Sequence, residues 1–199
     1  MSKGIFTRGY LPHWDFQGAV QAVTFRLKDS VPASVIQNWK IELDSVTDEK
    51  ERQQQLRRLI SRFEDAGQGE AIFKRADCAA IVQRELIQGH DSEYRLLEWC
   101  VMPNHIHVLI QVNQSSPLSG IVRDWKGRSA IEINKLLGRS GSLWQREYFD
   151  RFVRDLDHCY DCRAYIRNNP VKAGLCDAPG DWKFSSAGAN WIANVEVAG

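Results

Sequence analysis

The sequence of 199 residues predicts an α+β sandwich. Three observations carry that reading. A β-branched, apolar stretch at 19–28 precedes a long run of helical patterning. Two apolar runs, 94–102 and 105–112, are separated only by Pro103-Asn104, which reads as an antiparallel hairpin. Two further helical patterns then close the chain.

In order along the chain, Val23, Phe25 and Leu27 alternate in the first strand. Ser30-Val31-Pro32 opens a helix running into Trp39 and Leu43. A second helix spans about 47–66, with Leu56, Leu59, Ile60 and Phe63 at helical spacing on a charged surface, and Gly67-Gln68-Gly69 stops it. Asp77 is the expected N-cap of a third helix carrying Ile81, Val82 and Leu86 and ended by Gly89. After the hairpin, Ser116-Pro117 pairs an N-cap residue with proline at the first helical position. That helix, with Leu118, Ile121, Val122 and Trp125 on one side, ends at Gly138. Residues 141–154 read as loop or short strand. Asp155 caps a last helix reaching Asn168, which Pro170 should terminate.

Composition narrows the class. Hydrophobic residues make up 43% and charged residues 26%, which excludes a disordered chain. No apolar run nears the roughly 20 residues of a membrane helix, and residues 1–10 lack the apolar region of a secretory leader. Five scattered cysteines suit reduced thiols, hence a cytoplasmic setting. The net charge of +1 is uninformative, but its distribution is uneven. Residues 121–154 hold eight Lys/Arg against four acids, and residues 41–70 hold five against eight. Such asymmetry suits one face that meets phosphates.

Chemistry concentrates in two short motifs. In Asn104-His105-Ile106-His107-Val108, the histidines are two apart and project together from a strand. Paired imidazoles can bind a divalent metal, although an isolated H-x-H is more often two strand histidines, one packed and one on the surface, with no ligand. In Tyr165-Ile166-Arg167-Asn168-Asn169-Pro170, Tyr165 and Asn169 share a helical face. Tyrosine can be a covalent nucleophile and an Asn oxygen can ligate a hard cation. Equally, Tyr165 fits an ordinary helix aromatic and Asn169 a cap before Pro170. Cys159-x-x-Cys162 has no second pair and falls within a helix, so it reads as coincidence.

Taken together and in order, four segments are more specific. They are Val-Thr-Phe-Arg-Leu at 23–27, Val-Met-Pro-Asn-His-Ile-His-Val-Leu-Ile at 101–110, Trp-Gln-Arg-Glu-Tyr-Phe-Asp-Arg at 144–151 and Tyr-Ile-Arg-Asn-Asn-Pro-Val-Lys-Ala-Gly-Leu at 165–175. The set resembles the REP-associated tyrosine transposases, single-tyrosine HUH transposases of the IS200-like group, over about residues 9–186. The resemblance implies a ferredoxin-like antiparallel sheet with packed helices, and a bacterial, nucleoid-associated enzyme that cuts and rejoins single-stranded DNA beside REP-like hairpins. It implies Tyr165 as nucleophile and His105, His107 and Asn169 as ligands of Mg²⁺ or Mn²⁺. It also implies a 5′-phosphotyrosine intermediate, in a monomer or homodimer.

The expected organisation is one domain over 1–199, with a helical insertion around 41–76 and a short tail after about 186. Arg123, Lys126, Arg128, Trp144, Arg146, Arg151 and Arg154 are the expected DNA contacts, cations interleaved with an aromatic. Tyr148 and Tyr160 are rival nucleophiles, but Phe152 and Ala164, not Asn or Gln, follow them at four residues. Two other classes compete: a non-catalytic hairpin-DNA-binding protein of the same fold, and a histidine-metal hydrolase on a barrel. The chain is short for the latter.

Overall fold

The computed structural model describes residues 4–7, 12–15, 18–65, 69–113 and 116–191. Strands β1 (Gly4–Thr7) and β2 (Pro12–Asp15) form an antiparallel ribbon. They are followed by β3 (Val20–Arg26), α1 (Ala33–Glu42), α2 (Glu49–Asp65) and α3 (Ala76–Gln88). Then come the hairpin β4 (Tyr94–Val101) and β5 (His105–Val112), α4 (Leu118–Leu136), β6 (Phe149–Phe152) and α5 (Leu156–Lys172).

The main sheet has the order β4-β5-β3-β6 with every pair antiparallel. Read along the chain, β3-α3-β4-β5-α4-β6 is the ferredoxin-like split βαβ arrangement. Helices α1 and α2 stand between β3 and α3, and α5 is appended after β6.

Period-2 alternation gives the sheet two different faces. Val23, Phe25, Ile106, Val108 and Ile110 pack against Leu86 of α3 and Ile121 and Trp125 of α4. On the reverse face, Val20, Leu97, Cys100 and Leu109 meet Cys159 and Ile166 of α5. A β-bulge between Leu96 and Glu98 interrupts the β4–β5 register, and Leu97 and Glu98 consequently both meet the α5 layer. The outer edge of β4 is closed by the segment after α5: Val101 N–H donates to Phe184 O at 2.9 Å and Ser186 N–H to Trp99 O at 3.0 Å. A covered edge cannot recruit a foreign strand.

Three expected boundaries move. The N-cap of α3 is Arg75, and Asp77 sits inside the first turn, where its carboxylate accepts from Cys78 N–H at 2.9 Å. Pro117, extended at φ −69° and ψ 139°, takes the cap position of α4 in place of Ser116. The largest change is at Pro170, which lies inside α5 and does not end it. Proline removes one helix hydrogen bond, but Ile166, Asn169 and Pro170 are all buried against the sheet, and that burial holds the last turn on course. The helix closes one turn later, with Leu175 N–H donating to Pro170 O at 2.9 Å and Gly174 at φ +66°. The Asp155 cap is as expected, accepting from His158 N–H at 2.7 Å. The stop expected at Gly67-Gln68-Gly69 falls largely outside the described residues.

Candidate active site

β5 aims His105 and His107 at the α5 layer, while Ile106 and Val108 enter the apolar core. Cross-strand register places Arg26 opposite His105 and Thr24 opposite His107. Both imidazoles are buried, at 1% and 6% exposure. Asn104 Oδ1 lies 2.8 Å from His105 Nδ1. A carbonyl oxygen only accepts, so the proton of neutral His105 sits on Nδ1 and Nε2 is the nitrogen that carries the lone pair. That atom is 3.0 Å from His107 Nε2. Thr24 Oγ1 holds the far nitrogen of His107 at 2.9 Å.

From α5, the Asn169 amide reaches the same point, with Nδ2 3.1 Å from His107 Nε2. Asn169 Oδ1 is buried with no hydrogen-bond partner. A half-turn of the amide exchanges the two atoms and brings the oxygen toward both imidazoles. Burial, then the charges of His107 and Arg26, push His105 well below the usual histidine range. Burial and Arg26 lower His107 to about 4. Both rings are therefore neutral bases at pH 7, the form that ligates a metal.

The donor set fits a divalent cation. Ligands at about 2.1 Å in right-angle positions stand about 3 Å apart, which is the separation of the two Nε2 atoms. The unpartnered Asn169 oxygen supplies a third donor. Among the described residues, no third His, Cys, Asp or Glu joins the histidines.

Tyr165 stands one turn before Asn169. Its ring meets His107 edge to face at a centroid distance of 5.4 Å, and it is 39% exposed. Lys172 Nζ lies 5.2 Å from the ring centroid. The rival tyrosines are elsewhere: Tyr148 is packed in the α3–α4 core and Tyr160 is on the outer side of α5 at 62% exposure.

What holds α5 in place is a buried carboxylate. Glu98, fully buried, accepts from Arg163 Nε at 2.8 Å and Arg167 Nε at 3.0 Å, and is also bonded by Ser186 Oγ. These arginines flank one side of the Ile166 ridge, and Tyr165 and Asn169 flank the other. Fixing one flank therefore sets the position of the other over the histidines.

A groove of about 960 Å³ opens beside the site. Thr24, Arg26, His107 and Tyr165 line it, with Arg151, Arg154 and His158, and across from them Gln54 and Arg58 of α2. Of the expected DNA contacts, only Arg151 and Arg154 stand here. Arg123 and Arg128 are exposed on α4, in the opposite layer, and pair with Asp124. Arg146 is exposed outside the groove lining. Two residues need correction. Trp144 is 5% exposed and stacked on Phe73, its indole donating to Ser129 Oγ, so its ring is closed to a base. Lys126 Nζ is engaged by the carbonyls of Gln145 and Arg146 at 2.6 and 2.9 Å and straps that loop to α4. Sequence reading missed Thr24, Arg26 and Glu98. For the first two a signal existed, since they are the polar residues alternating with Val23, Phe25 and Leu27.

Residues 76–169 match the family model described as Transposase IS200 like. A curated Haemophilus influenzae protein, named after the REP-associated tyrosine transposases, is 28% identical over 97 residues. The match covers 44% of this chain and 55% of that protein, so the chain spans about half the length of its curated relative. A solved structure, described as a REP-associated tyrosine transposase bound to a REP hairpin, superposes with a TM-score of 0.58. It covers 96% of this chain and 94% of that one at 14% identity, a likeness of fold. The family match begins at α3 and ends on Asn169, so the stretch of this chain that is similar to the IS200-like transposases encloses both histidines and Tyr165.

Proposed function

We propose that the chain is a metal-dependent single-stranded DNA endonuclease and strand transferase that cuts and rejoins DNA beside REP-like hairpins through a 5′-phosphotyrosine. One observation carries the reading: an accessible tyrosine lies against His107, whose Nε2 converges with His105 Nε2 and the Asn169 amide. Of the described tyrosines, no other shares that position.

In this reading the Tyr165 oxygen attacks the scissile phosphorus in line. Its O–H proton leaves to solvent, the bond from phosphorus to the 3′ oxygen breaks, and that oxygen takes up a proton. The product is a phosphodiester much like the one broken, so a 3′-hydroxyl reverses the step without an external energy source. Lys172 Nζ stands 5.2 Å from the Tyr165 ring centroid, where its charge would also attract the phosphate backbone of a bound strand. His105, His107 and Asn169 would hold a divalent cation, Mg²⁺ or Mn²⁺, that polarises the phosphate and offsets charge growing in the transition state. Asn104 and Thr24 hold the two rings so that both Nε2 lone pairs face that point.

The test is denaturing electrophoresis of the protein with end-labelled hairpin single strands and Mg²⁺ or Mn²⁺. We expect a covalent adduct that maps to Tyr165, carries the 5′-phosphate and disappears in Tyr165→Phe. An adduct persisting in Tyr165→Phe overturns the choice of nucleophile. Binding with neither cleavage nor adduct favours a non-catalytic hairpin-binding protein. Cleavage without adduct, with resealing trapped by competitor, favours hydrolysis by water.

A further inference from the structure

His158 lies on α5 two turns before Tyr165, so both side chains leave the same face of the helix. It is 8% exposed. Its Nδ1 accepts from the Arg154 N–H at 3.3 Å, which leaves the proton of the neutral ring on Nε2. That Nε2–H is buried without a hydrogen-bond partner, and the residue lines the groove shared with His107 and Tyr165. A buried donor left unmade is destabilising, and an acceptor that reached it from this groove would remove that cost.

The surroundings specify which acceptor. Arg151 and Arg154 line the same groove, are exposed, and form no ion pair among the described residues. Burial first, and then the charges of Arg151 and Arg154, lower the imidazole below the usual histidine range against the smaller opposing pull of Asp155 and Asp161. Asp155, Asp157 and Asp161 also face the groove. All three are exposed, and the Asp155 carboxylate is engaged by His158 N–H. An imidazole N–H that shares a groove with two guanidinium groups unpaired among the described residues is a receptor for an oxyanion. Seven residues of helix separate His158 from Tyr165 by about 10.5 Å along the axis, too far for one phosphate group to meet both.

We infer that His158, Arg151 and Arg154 form a subsite for a second backbone phosphate of the DNA strand, distinct from the scissile one. The inference rests on the DNA-cleaving reading above. The subsite would fix the register of the strand along α5 and so select which phosphodiester reaches Tyr165.

The experiment uses Tyr165→Phe protein in chelator, so that binding is read without cleavage. Fluorescence anisotropy follows a hairpin oligonucleotide whose single-stranded flank carries one neutral methylphosphonate, moved position by position. One position should weaken binding about tenfold and have no further effect in a protein also carrying His158→Phe. Arg151→Gln, a surface change that cannot unfold the core, should weaken binding and flatten the log-log salt dependence by about 0.7. The subsite is overturned if every methylphosphonate position acts alike with and without His158, or if removing a base and not neutralising a phosphate abolishes the His158 dependence. An adduct formed by unaltered protein alongside a featureless scan removes the subsite and leaves the cleavage reading standing. Absence of any adduct removes both.

Discussion

On one side of β5, Ile106, Val108 and Ile110 are fully buried against α3 and α4. On the other, His105 and His107 are almost as buried, yet they meet each other, Thr24, Asn104 and Asn169. Burial alone does not separate core from site in this strand. The apolar face is satisfied by packing in any orientation that fills space. The polar face leaves lone pairs that no protein donor fills, notably on Asn169 Oδ1. Evolution keeps such unsatisfied groups where a ligand completes them.

The sharpest way to break this comparison is to truncate one residue from each face. Ile106→Ala should cost about 3–4 kcal/mol in urea denaturation, the usual toll of a large cavity in a dry core. His107→Ala should cost less than half of that and instead abolish Mn²⁺ binding measured by calorimetry. If the two stability losses come out equal, the faces are energetically alike and the distinction fails.

Acid should strike only the polar face. His107 titrates near 4 in the folded chain, against about 6.5 when unfolded. As pH falls below 6.5 the unfolded chain takes up the proton first, so stability present above that pH is lost down to about 4. Between pH 7 and 5, in chelator, the loss should be about 2 kcal/mol. His107→Gln should remove that part of the slope, whereas Ile106→Val should leave it unchanged. A pH-independent stability over this range would mean the imidazole is not buried as described.

The smallest effect concerns the scaffold of the polar face. Asp155→Ala removes the cap of α5 and should lower stability by about 1 kcal/mol. Because the cap lies next to His158 and two turns or more from Tyr165 and Asn169, Mn²⁺ affinity should change little. A loss of metal binding as large as that of His107→Ala would show that the helix start controls the whole site.

The difference between faces also explains what could be read from sequence. The hairpin, the Asp155 cap and the core positions of β3, α3 and α4 were legible because alternation, helical spacing and capping are local rules. The juxtaposition of His105 and His107 was legible for the same reason. Pro170 was misjudged because its cost is local, while the burial that offsets it comes from residues far away in sequence. Trp144 and Lys126 looked like DNA contacts because composition cannot tell a ring stacked on Phe73, or an ammonium held by two carbonyls, from a solvent-facing one. Glu98 gave no sign at all. Its partners Arg163, Arg167 and Ser186 lie 65 to 88 residues away.

That separation has a kinetic consequence. The apolar side of the sheet can assemble once β3 to β6 are available, and much of its closure is a tight hairpin between β4 and β5. The Glu98 carboxylate cannot be neutralised until α5 arrives, nor completed until Ser186 does, 88 positions later. Loop closure of that length is slow, and an uncompensated carboxylate in a forming interior opposes docking until its partners come. We expect the ferredoxin-like core to form first and the helix that carries Tyr165 and Asn169 to dock last, so that a chain emerging during synthesis passes through a stage with a folded sheet and an incomplete polar face.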